Sequence, residues 1–133
     1  MANPAKAKGT AFESAIVAHL TERFGGAGRA LGLVPRRVAQ AGALDTGDVH
    51  GVSPFVIQAK AYKSLADGLR EGVDGVQAQH VRAGEPFGVA VIKRPRKPIG
   101  QAYAVMTLDQ WADLLLRLRE AEDDMEHRRP VTK

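Results

Sequence analysis

Four side chains have the types and spacing to build a reaction centre: Glu13, Asp48, Gln58 and Lys60. Asp48 sits on a short extended segment that turns at Gly51 and Ser53-Pro54 and re-enters an apolar strand, Phe55 to Ile57. Side chains alternate along a strand, so Gln58 and Lys60 share a face. If the two segments pair as a hairpin, Asp48 comes near them. An acid, an amide oxygen and an amine then meet in one place, a frame for a hard cation and a water to be activated. Asp45 and His50 flank Asp48 and are possible additional members, although Asp45 in Leu-Asp-Thr-Gly also has the form of a turn-forming acid.

The elements that must position these groups follow from periodicity. Phe12, Ile16, Leu20 and Phe24 recur every four residues, which predicts an amphipathic helix from about Thr10 to Phe24, stopped by Gly25, Gly26 and Gly28. Thr10-x-x-Glu13 has the form of a capping box at its start, and on spacing alone that role is favoured for Glu13 over a metal ligand. Residues 33–40 read as an edge strand carrying Arg36 and Arg37 on opposite faces. Leu65, Leu69, Val73, Val76 and His80 predict a helix from about Ser64 to Val81, its glycines packing closely on a sheet. Phe87 to Ile92 reads as a strand buried on both faces. It runs into Lys93-Arg94-Pro95-Arg96-Lys97-Pro98, four cations kept out of regular structure by prolines, either a solvated loop or a phosphate-contacting one. Ala102 to Met106 is a further strand. Thr107 then opens a helix whose stripe of Leu108, Trp111, Leu115 and Leu118 is expected to be buried, making Trp111 a core residue.

The pattern implies one domain over residues 1–133, a flexible arm over about 1–8 and a frayed tail over about 121–133. Its class is α/β, a central mixed β-sheet flanked by helices. The chain has no cysteine, which excludes disulfides, thiolate zinc sites and cysteine nucleophiles. No His-Glu-x-x-His, Gly-x-Ser-x-Gly or EF-hand pattern occurs. The Gly25 to Gly32 region lacks the preceding strand and Gly-Lys-Ser/Thr ending of a phosphate loop, so no nucleotide cofactor is expected. No apolar run approaches a membrane span, and a soluble, cytoplasmic protein of a bacterial or phage-infected cell is expected. The net charge is +4, yet seven of the fifteen acids lie after residue 108, leaving the preceding part more basic and suited to a polyanion.

Asp48 followed ten positions later by Gln58-Ala59-Lys60 resembles the PD-(D/E)XK nuclease superfamily, with glutamine where the second acid stands. Lys8-Gly9-Thr10-Ala11-Phe12-Glu13 is similar to the opening of the archaeal-type Holliday-junction resolvases of that superfamily, whose glutamate rides on the first helix. The resemblance covers about Lys6 to Leu118. It implies a restriction-endonuclease-like fold and a Mg²⁺- or Mn²⁺-dependent endonuclease acting on branched DNA as a homodimer. The metal ligands would be Glu13, Asp48, Gln58 and the Ala59 carbonyl, with Lys60 orienting or deprotonating water. Lys8, Arg36, Arg37, Lys63, Lys93, Arg94, Arg96 and Lys97 would contact phosphates. Flaps, forks or duplex DNA are alternative substrates. Because Gln58 brings no charge, a catalytically impaired module that only binds branched DNA is the alternative from another class.

Overall fold

A computed structural model describes residues 4–39, 44–62 and 64–128. A five-stranded mixed sheet is flanked by three helices, in the order α1 (Pro4–Ala30), β1 (Arg36–Arg37), β2 (Val49–Val52), β3 (Phe55–Lys60), α2 (Leu65–Arg82), β4 (Phe87–Ile92), β5 (Tyr103–Val105) and α3 (Leu108–His127). The strands lie side by side in chain order. β3 and β4 are parallel, joined through α2, and every other neighbouring pair is antiparallel. The α/β class and mixed sheet agree with the periodicity. No helix among the described residues is long and apolar enough to cross a membrane.

α1 brings Phe12 and Ile16 onto Val49, Val52 and Ile57, the buried cluster on one face of the sheet. The helix is longer than its apolar repeat, running from Pro4 through residues expected to be an arm and bending at Gly25, whose φ of 61° is left-handed. Thr10 is therefore well inside α1 and is no N-cap, so the expected capping box does not form. Helix geometry, with the amides of Thr10 and Glu13 inside the i to i−4 ladder, leaves Glu13 available for the sheet. At the other end of the chain, α3 stays helical to His127, into the span expected to fray.

The opposite face is covered by α2, which opens as expected with Ser64 Oγ accepting from Asp67 N at 3.3 Å. Its buried line is Gly68, Gly72, Val76 and Gln79, whereas Leu65 is 46% exposed. This rotates the contact away from the expected leucine stripe. A Cβ on Gly72 would lie 3.1–3.3 Å from Ala90, Lys60 and Ile92, so the glycine line sets how closely helix and sheet approach.

α3 departs most from expectation. It is capped by Thr107, whose Oγ1 accepts from Gln110 N at 3.3 Å, but none of its residues is buried. Leu108, Trp111, Leu115 and Leu118 are 77%, 52%, 41% and 52% exposed, so the stripe is a surface and Trp111 is no core residue. An amphipathic pattern specifies that a helix has an apolar side, and the location of a partner for that side is a separate matter. Of the strand expected over residues 33–40, the described part, 33–39, gives only the two-residue β1, paired with β2 at Arg36–His50 and Arg37–Val49, and residue 40 lies outside the described residues.

Gly51 is held at φ 80°, and a Cβ there would run into the Val34 backbone carbonyl. Gly51→Ala is expected to destabilise by about 2–4 kcal/mol, read from urea unfolding. Gly26→Ala, with nothing within 4 Å, is the control and should leave the midpoint unchanged or raised.

Candidate active site

Asp48 is the fixed point of the site. It is 2% exposed at the start of β2 and is tied on both sides: its N–H donates to the Ile57 carbonyl at 2.8 Å and its carbonyl accepts from Val38 N at 3.0 Å. Its Oδ2 accepts from Ala59 N at 2.8 Å. A carboxylate is buried at tolerable cost only with such charge-assisted bonds. The register that pairs Val49 with Ile57 carries Asp48 to the level of Gln58 across the ladder.

From α1, Glu13 reaches this carboxylate. Burial, foremost, and then the negative charge of Asp48 push the Glu13 carboxyl above the ordinary value of 4.5, with Asp45 and a hydrogen bond to Asp48 acting in the same direction and Arg37 opposing them. Arg37 Nη2 lies 4.0 Å from Glu13 Oε2. A carboxylate this close to another acid favours the protonated form of Glu13.

Gln58 is 4% exposed, and its Oε1 is buried with no hydrogen-bond partner among the described residues. Gln58 stands opposite Asp48 across the ladder, and an amide oxygen taken with two carboxyls is all-oxygen donor chemistry of the kind a hard divalent cation takes. Among the described residues no three His, Cys, Asp or Glu side chains converge, so the amide oxygen is needed to complete a set of three side chains. Glu13, Asp48 and Gln58 therefore fit a metal.

Lys60 follows Gln58 by one pleat, on the face of β3 that α2 covers. Its stem lies along Gly72, and its ammonium sits 5.2 Å over the Tyr62 ring. Asp45 spans two roles, since Oδ1 accepts from Gly47 N at 2.9 Å, the expected turn, while Oδ2 accepts from Gln79 Nε2 at 3.1 Å. Arg82 Nη1 donates to the Asp45 carbonyl at 3.2 Å. Gln79 had no signal in the sequence beyond its place on a helix. Its buried Oε1 is, like that of Gln58, without a partner among the described residues. His50 braces the same loop through Nε2 to the Thr46 carbonyl at 2.8 Å.

The basic groups are distributed around this centre. The loop after β4 begins beside Lys60, because Lys93 N donates to the Lys60 carbonyl at 2.9 Å. Lys93, Arg96 and Lys97 are exposed. Arg94 is half-buried, its guanidinium 4.6 Å over Tyr103 and its Nη1 donating to the Gln101 carbonyl at 3.4 Å. Lys8 and Arg36 are exposed, and Arg37 is partly engaged by Glu13. Lys63 lies outside the described residues. Comparison with protein-family models, with curated proteins and with solved structures finds no match to this chain in any of the three.

The raised Glu13 carboxyl makes stability fall with pH. The fold holds this proton more tightly than the unfolded chain does, so its contribution is complete below pH about 4.5 and is lost as pH rises through the folded value. Glu13→Gln keeps the neutral form throughout. In chelator, the thermal midpoint of Glu13→Gln is expected to gain on wild type between acid and neutral pH, with the difference shrinking below pH about 4.5. A difference that stays constant with pH would contradict the assignment.

Proposed function

We propose that this chain is a metal-dependent DNA endonuclease with a restriction-endonuclease-like fold, selective for four-way junctions. The observation that carries the reading is the Glu13–Asp48 carboxyl pair, with Asp48 bonded to Ala59 in the strand end Gln58-Ala59-Lys60 and the Gln58 oxygen buried without a partner among the described residues. Phosphodiester hydrolysis demands charge neutralisation at the non-bridging oxygens, an activated water and help for the leaving oxygen. When bound, Mg²⁺ or Mn²⁺ supplies the neutralisation and lowers the pKa of water. Asp48 and Glu13 are the charged ligands, and Gln58 and the Ala59 carbonyl are the neutral ones. Arg37 restrains Glu13. Lys60 steadies the developing charge and orients water once its ammonium leaves the Tyr62 ring.

Lys93, Arg96 and Lys97 extend from the residue hydrogen-bonded to Lys60, so phosphates flanking the scissile one fall within the span of that loop. Contacts of this kind read backbone path and shape and carry little base sequence. Resolving a four-way junction takes two matched cuts, which suits a two-fold pair of chains.

A second reading, a branched-DNA-binding module without cleavage, is favoured by two details: Gln58 lacks the charge of an acid, and Lys60 is turned onto Tyr62. The two readings separate in one assay. End-labelled four-way junction and linear duplex of the same sequence are incubated with Mg²⁺ or Mn²⁺ and with wild type or Asp48→Asn, which keeps an acceptor for Ala59 N–H. Paired symmetric cuts in the junction alone, reduced on the order of 10²–10³-fold by Asp48→Asn with junction binding retained, support the endonuclease. Tight binding with no cuts in either metal supports the binding module.

Gln58→Glu tests the donor set separately. A third buried carboxylate without a cation is expected to lower the thermal midpoint in chelator, and Mg²⁺ is expected to restore it by more than it raises wild type. An equal response of both proteins to Mg²⁺ would remove Gln58 from the metal shell.

A further inference from the structure

Two apolar surfaces of this chain are uncovered among the described residues, and they match. One is the α3 stripe of Leu108, Trp111, Leu115 and Leu118. The other is a groove of about 670 Å³ between α1 and the sheet, walled by Ile16, Leu20 and Phe24 on the helix and by Phe55, Val89 and Val91 on the strands. A groove of that composition and an unpartnered helix face each expose apolar surface that association removes from water.

The helix does not fill the groove of its own chain. Gln110 pins its first turn elsewhere: Oε1 accepts from Gly88 N at 3.1 Å, and Nε2 donates to Gln77 Oε1 at 3.2 Å and to His80 Nε2 at 2.7 Å. Arg117 lies 5.7 Å over the Phe87 ring. Beyond it, every described residue is exposed.

Charge points to the occupant. Leu108–His127 carries seven Asp and Glu against two Arg, a formal −5, while the rest of the chain is +9. Acids follow Leu118 at Glu120, Glu122, Asp123 and Asp124, and the α1 wall of the groove carries exposed Arg23 next to Phe24. An acidic amphipathic helix and a basic body with an apolar groove are thus parts of one molecule. We propose that α3 of one copy lies in the groove of a second copy and that the exchange is reciprocal, a two-fold dimer in which a single contact, made twice, covers both surfaces. This does not rest on the nuclease reading, since a chain without cleavage activity would dimerise in the same way.

The test uses sedimentation velocity and engineered thiols, the native chain having no cysteine. Wild type is expected at twice the 14.3 kDa chain mass. Leu115→Glu with Leu118→Glu is expected to be monomeric with an unchanged circular dichroism spectrum, because both side chains are solvent-facing in the single chain. Leu115→Cys is then mixed with Ala104→Cys, a groove residue, under disulfide exchange. A disulfide between the two different variants, in excess over either variant with itself, supports helix-in-groove exchange. A Leu115→Cys disulfide mainly with itself, meaning helix against helix, overturns the proposal. So does an internal disulfide in a chain carrying both substitutions, or a wild type that sediments as a monomer.

Discussion

The buried carboxylate of Asp48 is the constraint on which the rest of the structure depends. A charge at this depth is tolerable only if its lone pairs are met, and Ala59 N–H meets one of them from the next strand. That bond, with the Asp48 N–H to Ile57 and the Val38 N–H to Asp48, holds β2 against β3 and draws the β1 side to the same point. The register of the hairpin and the position of the acid are therefore one fact. Slipping β2 by a residue would turn Val49 out of the core and strand the carboxylate.

The neighbourhood of that carboxylate holds a second acid. Glu13 is brought beside it by the same helix face that supplies Phe12 and Ile16 to the core, so packing compels the two acids together and raises the carboxyl of Glu13. The Arg37 guanidinium offsets the repulsion in part. Gln58 Oε1, buried and without a hydrogen-bond partner among the described residues, is a further polar group in this part of the core. Polar groups gathered in this way within an apolar core mark the candidate functional site.

α2 and α3 show what a repeat can and cannot specify. Both are capped as their first turns demand, by Ser64 and Thr107. In α2 the contact line runs through Gly68 and Gly72, where the sheet is so close that a Cβ would be tight, and the leucine stripe lies on the flank. In α3 the stripe is strong and has no partner among the described residues, since Gln110 has directed the helix away from the groove. The helix that looks most buried in the sequence is the most exposed.

What the sequence determined by itself is local. It specifies β4 to the residue, the Thr107 cap, the Asp45–Gly47 turn, the α/β class and the alternation that sets Gln58 and Lys60 on one face, because each depends on near neighbours and on the two periodicities. The tertiary structure decided the rest. It freed Glu13 from an apparent cap by starting α1 one and a half turns or so earlier, and it set that side chain against Asp48. It also brought Gln79 to Asp45 across 34 residues, turned Lys60 onto Tyr62 and left the α3 stripe in solvent. These outcomes depend on distances between elements far apart in the chain, and no local spacing encodes such a distance.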